Sequence, residues 1–122
     1  MNSDYIFINS RDQLLRIEFQ EIVYFEGDGN LTYIVTSNKN KGTVSMNLSK
    51  MEEFLAIQYG KKASIFIRLG KRFIINTNYI YSVQVSKQKL ILSNYRTFTF
   101  QLPVSKEALR KMKELLLIKK DS

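Results

Sequence analysis

Between residues 66 and 76 the chain sets three cations, Arg68, Lys71 and Arg72, within five residues, and brackets them with two short apolar runs. The runs are strand-like, and the charged residues between them read as a loop or hairpin at one edge of a sheet. A cationic turn of this kind is poorly placed for catalysis and well placed to meet phosphates. It also sets the grain of the rest of the chain, which is a succession of short strand-like runs separated by turn residues.

Further strands are predicted over residues 5–9, 14–19, 22–25, 31–36, 43–46, 79–85, 89–93 and 97–102. In the second, Leu15, Ile17 and Phe19 alternate with Arg16 and Glu18, which puts one face in a core and one in water. Gly27-Asp28-Gly29-Asn30 is the clearest turn signal, because Gly and Asn tolerate positive φ. Two helices interrupt the strands. The first is predicted to begin at Ser49, where Ser49 and Glu52 fit a capping box, and to stop at Gly60. The second follows Pro103, with Ser105 as N-cap and Glu107 in its first turn. Ala108, Leu109, Met112, Leu115 and Leu116 form its expected buried stripe, and Lys106, Arg110, Lys111 and Lys113 lie outside it. The fold class expected is mostly β, of the α+β kind, with a short mid-chain helix and a C-terminal helix.

At 122 residues and 44% hydrophobic, the chain suits one domain spanning 1–122 with one core. No apolar run approaches a membrane span, and the start does not read as a signal peptide, so a soluble cytoplasmic protein is expected. There is no Cys and no His. Ser-His and Cys-His nucleophile pairs are impossible, and a zinc site would need carboxylates alone. Glu18 with Glu21, and Glu52 with Glu53, lack the apolar setting that raises one carboxyl pKa for acid catalysis. The Gly27–Asn30 turn joins two strands and aims no helix N-terminus at a ligand, so it reads as a hairpin and not a nucleotide cradle. No enzyme, metal or cofactor is expected.

Charge points elsewhere. Residues 1–60 carry 5 Lys/Arg and 8 Asp/Glu, whereas residues 61–122 carry 14 and 3. So strong an asymmetry, within a net charge of +8, marks a surface for a polyanion. Lys71, Arg72 and Lys106 fall where turns and a helix start should present them. Lys87 and Lys89 fall in a turn where plain solvent exposure suffices as an explanation. Most aromatics sit at alternating strand positions and belong to the core; Tyr95, beside Arg96 in a polar turn, is the one expected to be exposed.

In order and spacing, several segments together resemble the LytTR DNA-binding domain of bacterial transcription regulators. They are Ile22-Val23-Tyr24-Phe25-Glu26 with the following Gly27–Asn30 turn, Leu48 to Leu55, Phe66 to Asn76, Ile80, and Leu102-Pro103-Val104-Ser105-Lys106. The likeness runs from about residue 5 to residue 117. It implies a small multi-sheet β domain that reads successive major grooves of double-stranded DNA with loops, unlike readers that lay a helix in the groove. It also implies three contact regions: Asn30 and Leu31 in the hairpin, Gly70, Lys71 and Arg72 after Arg68, and Ser105 and Lys106 in the segment after Pro103. Arg68 is either a contact residue or a packing residue of the strand end.

Two departures matter. Gly70-Lys71-Arg72 stands where members usually have His-Arg-Ser or similar, and Lys106 stands where Arg is usual. Lys cannot make the two-pronged bond that Arg makes to guanine, so base preference should differ from that of typical members. Leu31 offers only apolar contact, as to a thymine methyl. Family habit further implies repeated sites and a homodimer formed on DNA, with no membrane partner and no small-molecule substrate. Many members join this domain to a receiver domain, as response regulators do, or to membrane helices. This sequence has neither, and fits a standalone regulator or a piece of a longer one. Two rivals stay open: an RNA or single-stranded nucleic-acid binder on a small β scaffold, and a protein-interaction module for an acidic partner.

Overall fold

The computed structural model describes residues 4–10 and 12–121. Its elements run β1 (Tyr5–Ser10), β2 (Gln13–Glu18), β3 (Ile22–Asp28), β4 (Leu31–Thr36), β5 (Lys41–Val44), α1 (Leu48–Tyr59), β6 (Phe66–Leu69), β7 (Phe73–Asn76), β8 (Ile80–Gln84), β9 (Lys89–Ser93), β10 (Thr99–Pro103) and α2 (Lys106–Asp121). Short 3-10 turns lie at Phe19–Glu21, Gly60–Ile65 and Thr77–Tyr79. The architecture is mostly β with two helices, as the sequence predicts. The chain divides into two compact units, one up to Thr77 and one from Asn78 onwards.

The first unit holds a β1–β2 hairpin and a five-stranded antiparallel sheet in the order β5-β4-β3-β7-β6. β3 is its centre, and its residues Ile22, Val23, Tyr24 and Phe25 are all buried. A continuous apolar run, in place of alternation, is what a fully covered strand requires. Ile6 and Ile8 of β1, Phe25, Ile34, Ile74 and Phe66 of the sheet, and Met51 and Leu55 of α1 share one core. Buried Asn76 is satisfied by donating from Nδ2 to the Ile22 carbonyl at 2.9 Å.

Two boundaries differ from the sequence expectation. β5 covers Lys41–Val44, two residues earlier than predicted. The chain leaves the strand because the Met46 carbonyl accepts from buried Thr32 Oγ1 at 2.7 Å and Met46 N–H turns back to Val44 O at 2.9 Å. α1 starts at Leu48, and its cap is Asn47, whose Oδ1 accepts from Lys50 N–H at 2.8 Å. The Ser49–Glu52 capping box does not form, because Glu52 pairs with Arg68 instead. Gly60 ends the helix with φ +52, as its place in the sequence foretold.

The second unit is the antiparallel sheet β10-β9-β8 with α2. Leu90 and Leu92 of β9 are fully buried, and Leu102, Leu109 and Met112 of the same unit are buried as well. In the β9–β10 loop the Asn94 carboxamide oxygen accepts from the N–H groups of Arg96, Thr97 and Phe98. This fixes Tyr95 at φ +69 and 81% exposed, as the sequence indicated, but Tyr95 is not the single exposed aromatic expected, because Phe7 and Tyr81 of the strands are exposed as well. Ser105 Oγ caps α2 by accepting from Ala108 N–H at 3.2 Å. Leu109 and Met112 are buried, but Leu115 is 59% exposed, so the predicted apolar stripe of α2 is narrower than the pattern suggested.

Candidate nucleic-acid interface

Antiparallel pairing of β3 with β7 puts Glu26 opposite Phe73. The ladder extends one step further, with Gly27 N–H donating to Arg72 O at 2.8 Å. Hence the β3–β4 turn and the β6–β7 loop, about forty residues apart in sequence, emerge at the same end of the sheet. The N-terminus of α1 is there too. A Cβ on Gly27 would stand 2.9 Å from Leu48 Cβ, so glycine is required for the helix to approach β3 this closely.

The β3–β4 turn is two residues long, since Asp28 pairs with Leu31. Gly29, at φ +60, occupies the first central position, which a type II′ turn reserves for glycine. Exposed Asn30 is the second, and half-buried Leu31 begins β4. Tyr33 braces the turn by donating its hydroxyl to Asp28 Oδ2 at 3.1 Å, and this bond to the carboxylate raises the Tyr33 pKa.

In the β6–β7 loop the three cations divide their work. Arg68 spends its guanidinium on the loop itself: Nε donates to Gly70 O at 3.0 Å and Nη2 to Lys71 O at 3.2 Å. Its Nη1 reaches Glu52 Oε1 at 3.0 Å and Ser49 Oγ at 3.4 Å, tying the loop to the first turns of α1. Gly70 supplies the positive φ, +63, that the bend needs. Arg72 lies over the Phe73 ring at 5.2 Å and donates from Nε and Nη2 to Glu26 Oε2 at 3.0 and 2.6 Å. Glu26 and Arg72 also act on Tyr24, whose pKa is raised chiefly by burial and further by Glu26, while Arg72 opposes the rise. Lys71 is exposed and makes no ion pair among the described residues.

In the second unit, Ser105 is engaged as the cap of α2, and Lys106, the first residue of the helix, is exposed. The structure therefore brings Asn30, Leu31, Gly70, Lys71 and Arg72 to one end of the first unit, and places Ser105 and Lys106 at a helix start in the second. Sequence reasoning missed Glu26 and Glu52, the acids that hold Arg72 and Arg68. No local signal marks them, because each pairs with a residue far along the chain, Glu26 from β3 and Glu52 from α1. Among the described residues no cluster of acidic side chains is set to hold a metal ion, and no helix is long and apolar enough to cross a membrane.

A family model described as the LytTr DNA-binding domain matches residues 12–117, covering both units. The chain belongs to the LytTR family. Among solved structures, the LytTr DNA-binding domain of a Bacillus cereus protein named as a methyl-accepting/DNA response regulator superposes with a TM-score of 0.63. The match has 22% sequence identity and covers 95% of this chain and 98% of that one. At that identity the likeness speaks for the fold, and it agrees with the LytTR-like β architecture expected from the sequence. No curated protein matches the sequence. As a LytTR domain the chain is a DNA-binding, transcription-regulating module, a class that is not catalytic.

Proposed function

We propose that this LytTR domain recognises specific sequences in double-stranded DNA, reading successive major grooves through its loops. The observation that carries the reading is the shared end of the first unit, where the Asn30 turn meets a cationic loop built to a fixed shape. Asn30 offers the amide that pairs with adenine N6 and N7, and Leu31 an apolar surface for a thymine methyl. Lys71 reaches phosphate or guanine as a point charge, and Arg72 adds a planar fork once Glu26 yields it. Arg68 acts on DNA through the loop it holds. Lys106, at the start of α2, is the third contact, with Ser105 fixing the helix start. The whole chain serves as one DNA-binding domain, working in the cytoplasm where bacterial DNA lies, on repeated sites that it occupies as a pair formed on DNA.

The test is selection from a pool of random duplexes at two salt concentrations, with sequencing of the retained fraction. Enrichment of a repeated motif, with affinity falling steeply as salt rises, is the expected result. Retention without any enriched motif would remove the sequence-specific part of the proposal. One observation favours a second reading: Tyr81 and Tyr95 are both exposed and meet edge to face at 5.4 Å, beside exposed Arg96. Exposed aromatics with a cation suit base stacking on single strands. Competition by single-stranded DNA or RNA that outdoes a duplex of equal length would put that reading first.

A further inference from the structure

The second unit contains a groove of about 490 Å³ that shares only Lys106 with the contact regions above. One wall is the end of β8 and the turn after it, with Val83, Val85 and Lys87; the other is α2, with Lys106, Arg110 and Lys113. The three helix residues recur at intervals of four and three, which aligns them on one face of the helix. No acidic residue lines the groove, and none of the four cations makes an ion pair among the described residues. This contrasts with Arg68 and Arg72, which both face carboxylates.

The arrangement is also held in place. The Lys87 turn is closed by Gln88 N–H donating to Val85 O at 3.0 Å, with Gln88 at φ +54. Gln88 O then accepts from Val104 N–H at 3.1 Å, two residues before α2 begins. A Lys at the first position of a helix opposes the helix dipole. Glu107, which could offset it, pairs with Lys111 at 3.5 Å instead. Lys106 therefore carries a charge set against helix stability and free to meet an outside anion. From Lys106 to Lys113 the helix rises about 10 Å, a length that covers three nucleotide steps of about 3.4 Å measured along the duplex axis.

We infer that this groove is a phosphate track for duplex DNA, in which Lys87, Arg110 and Lys113 hold one strand's backbone next to the segment read by Lys106. The inference rests on the duplex-binding reading above. It adds contacts that supply affinity and salt dependence without sequence preference.

The test compares the whole chain with its Lys87→Ala, Arg110→Ala, Lys113→Ala triple variant. Lys106 stays intact because the base-reading segment uses it. Affinity is measured between 50 and 200 mM salt on a selected operator and on a scrambled duplex. The expected result is a salt slope shallower by about 2 to 3 units, near 0.9 per lost phosphate contact, with equal weakening on both duplexes. Arg110→Lys alone should keep the wild-type slope, since a phosphate needs only the charge. Amide NMR shifts during titration of the unmodified chain with the scrambled duplex should mark residues 87, 110 and 113, which tests the groove even if the triple variant folds poorly. An unchanged slope in a folded triple variant, or a response of those amides to pyrophosphate but not to duplex, would overturn the inference while leaving the loop reading intact. A wild-type chain that binds no duplex would instead overturn the reading beneath it.

Discussion

Arg68, Lys71 and Arg72 look alike as charges and differ in what they touch. Arg68 is a brace, since four of its contacts go to the loop and to α1. Arg68→Ala should cost about 1–2 kcal/mol in urea unfolding, the range of a few charge-assisted hydrogen bonds discounted for partial exposure. Arg68→Lys should recover little, because a single ammonium cannot reproduce the fork. If Arg68→Ala unfolds like wild type and loses only DNA affinity, Arg68 is a direct contact and not a brace. Arg72 is held in reserve by Glu26. Glu26→Gln keeps the shape and removes the charge, so it should tighten binding to any duplex and steepen the salt slope by about one unit, the gain of one phosphate contact. A slope equal to wild type in that variant would mean that Arg72 stays on Phe73 and never reaches DNA. The sequence shows that this loop is cationic. Which cation is free is not written in it, because the deciding carboxylates, Glu26 and Glu52, arrive from other strands and helices.

At the scale of elements, the position of α1 rests on Gly27 and Asn47. Gly27→Ala inserts a Cβ 2.9 Å from Leu48 Cβ, and both atoms are fixed to backbone, so β3 and α1 must part. The expected loss is about 1–3 kcal/mol, as for overpacking elsewhere. Gly29→Ala meets no atom within 4 Å and strains only its left-handed backbone, at about 1–2 kcal/mol. The two losses are to be compared by thermal unfolding together with DNA affinity. Gly27→Ala should harm both, because the helix start sits beside the loop that Arg68 ties down. Asn47→Ala should cost about 1 kcal/mol as a lost cap, and Ser49→Ala much less. Equal losses would return the cap to Ser49. The sequence made the capping box plausible through Ser49 and Glu52, and a box is a local device. Arg68 outbids it from sixteen residues away, which no local pattern can register. Strand runs, the Gly60 stop and the Ser105 cap were legible because each depends on neighbours within one turn. The partnership of β3 with β7 was not, yet it alone brings the Asn30 turn and the Lys71 loop to one end of the sheet.

For the molecule as a whole, charge is divided unevenly between the units. The unit from Asn78 onwards has nine Lys/Arg and three Asp/Glu, so it carries +6 of the total +8. Its groove was illegible in sequence because Lys87 and the α2 cations each have an ordinary solvent-facing explanation alone; only the fold lines them along one cavity. In the proposed contact regions and groove, Lys71, Lys87, Lys106, Arg110 and Lys113 make no ion pair among the described residues. If each neutralises one phosphate, log affinity should fall against log salt with a slope of about −4.5, which is a loss of about five-hundredfold between 50 and 200 mM. Operator and scrambled duplex should show the same slope, separated by a constant offset, since phosphates are common to both. That separation lets affinity and specificity be taken apart. Lys71→Ala should flatten both lines by about one unit if Lys71 meets a phosphate. Asn30→Ala carries no counterion, so it should leave both slopes unchanged and shrink the offset by about 1–3 kcal/mol, the worth of one base contact. Should Asn30→Ala leave the offset intact, the β3–β4 turn does not read bases, and sequence preference must come from the Lys71 loop or from the start of α2.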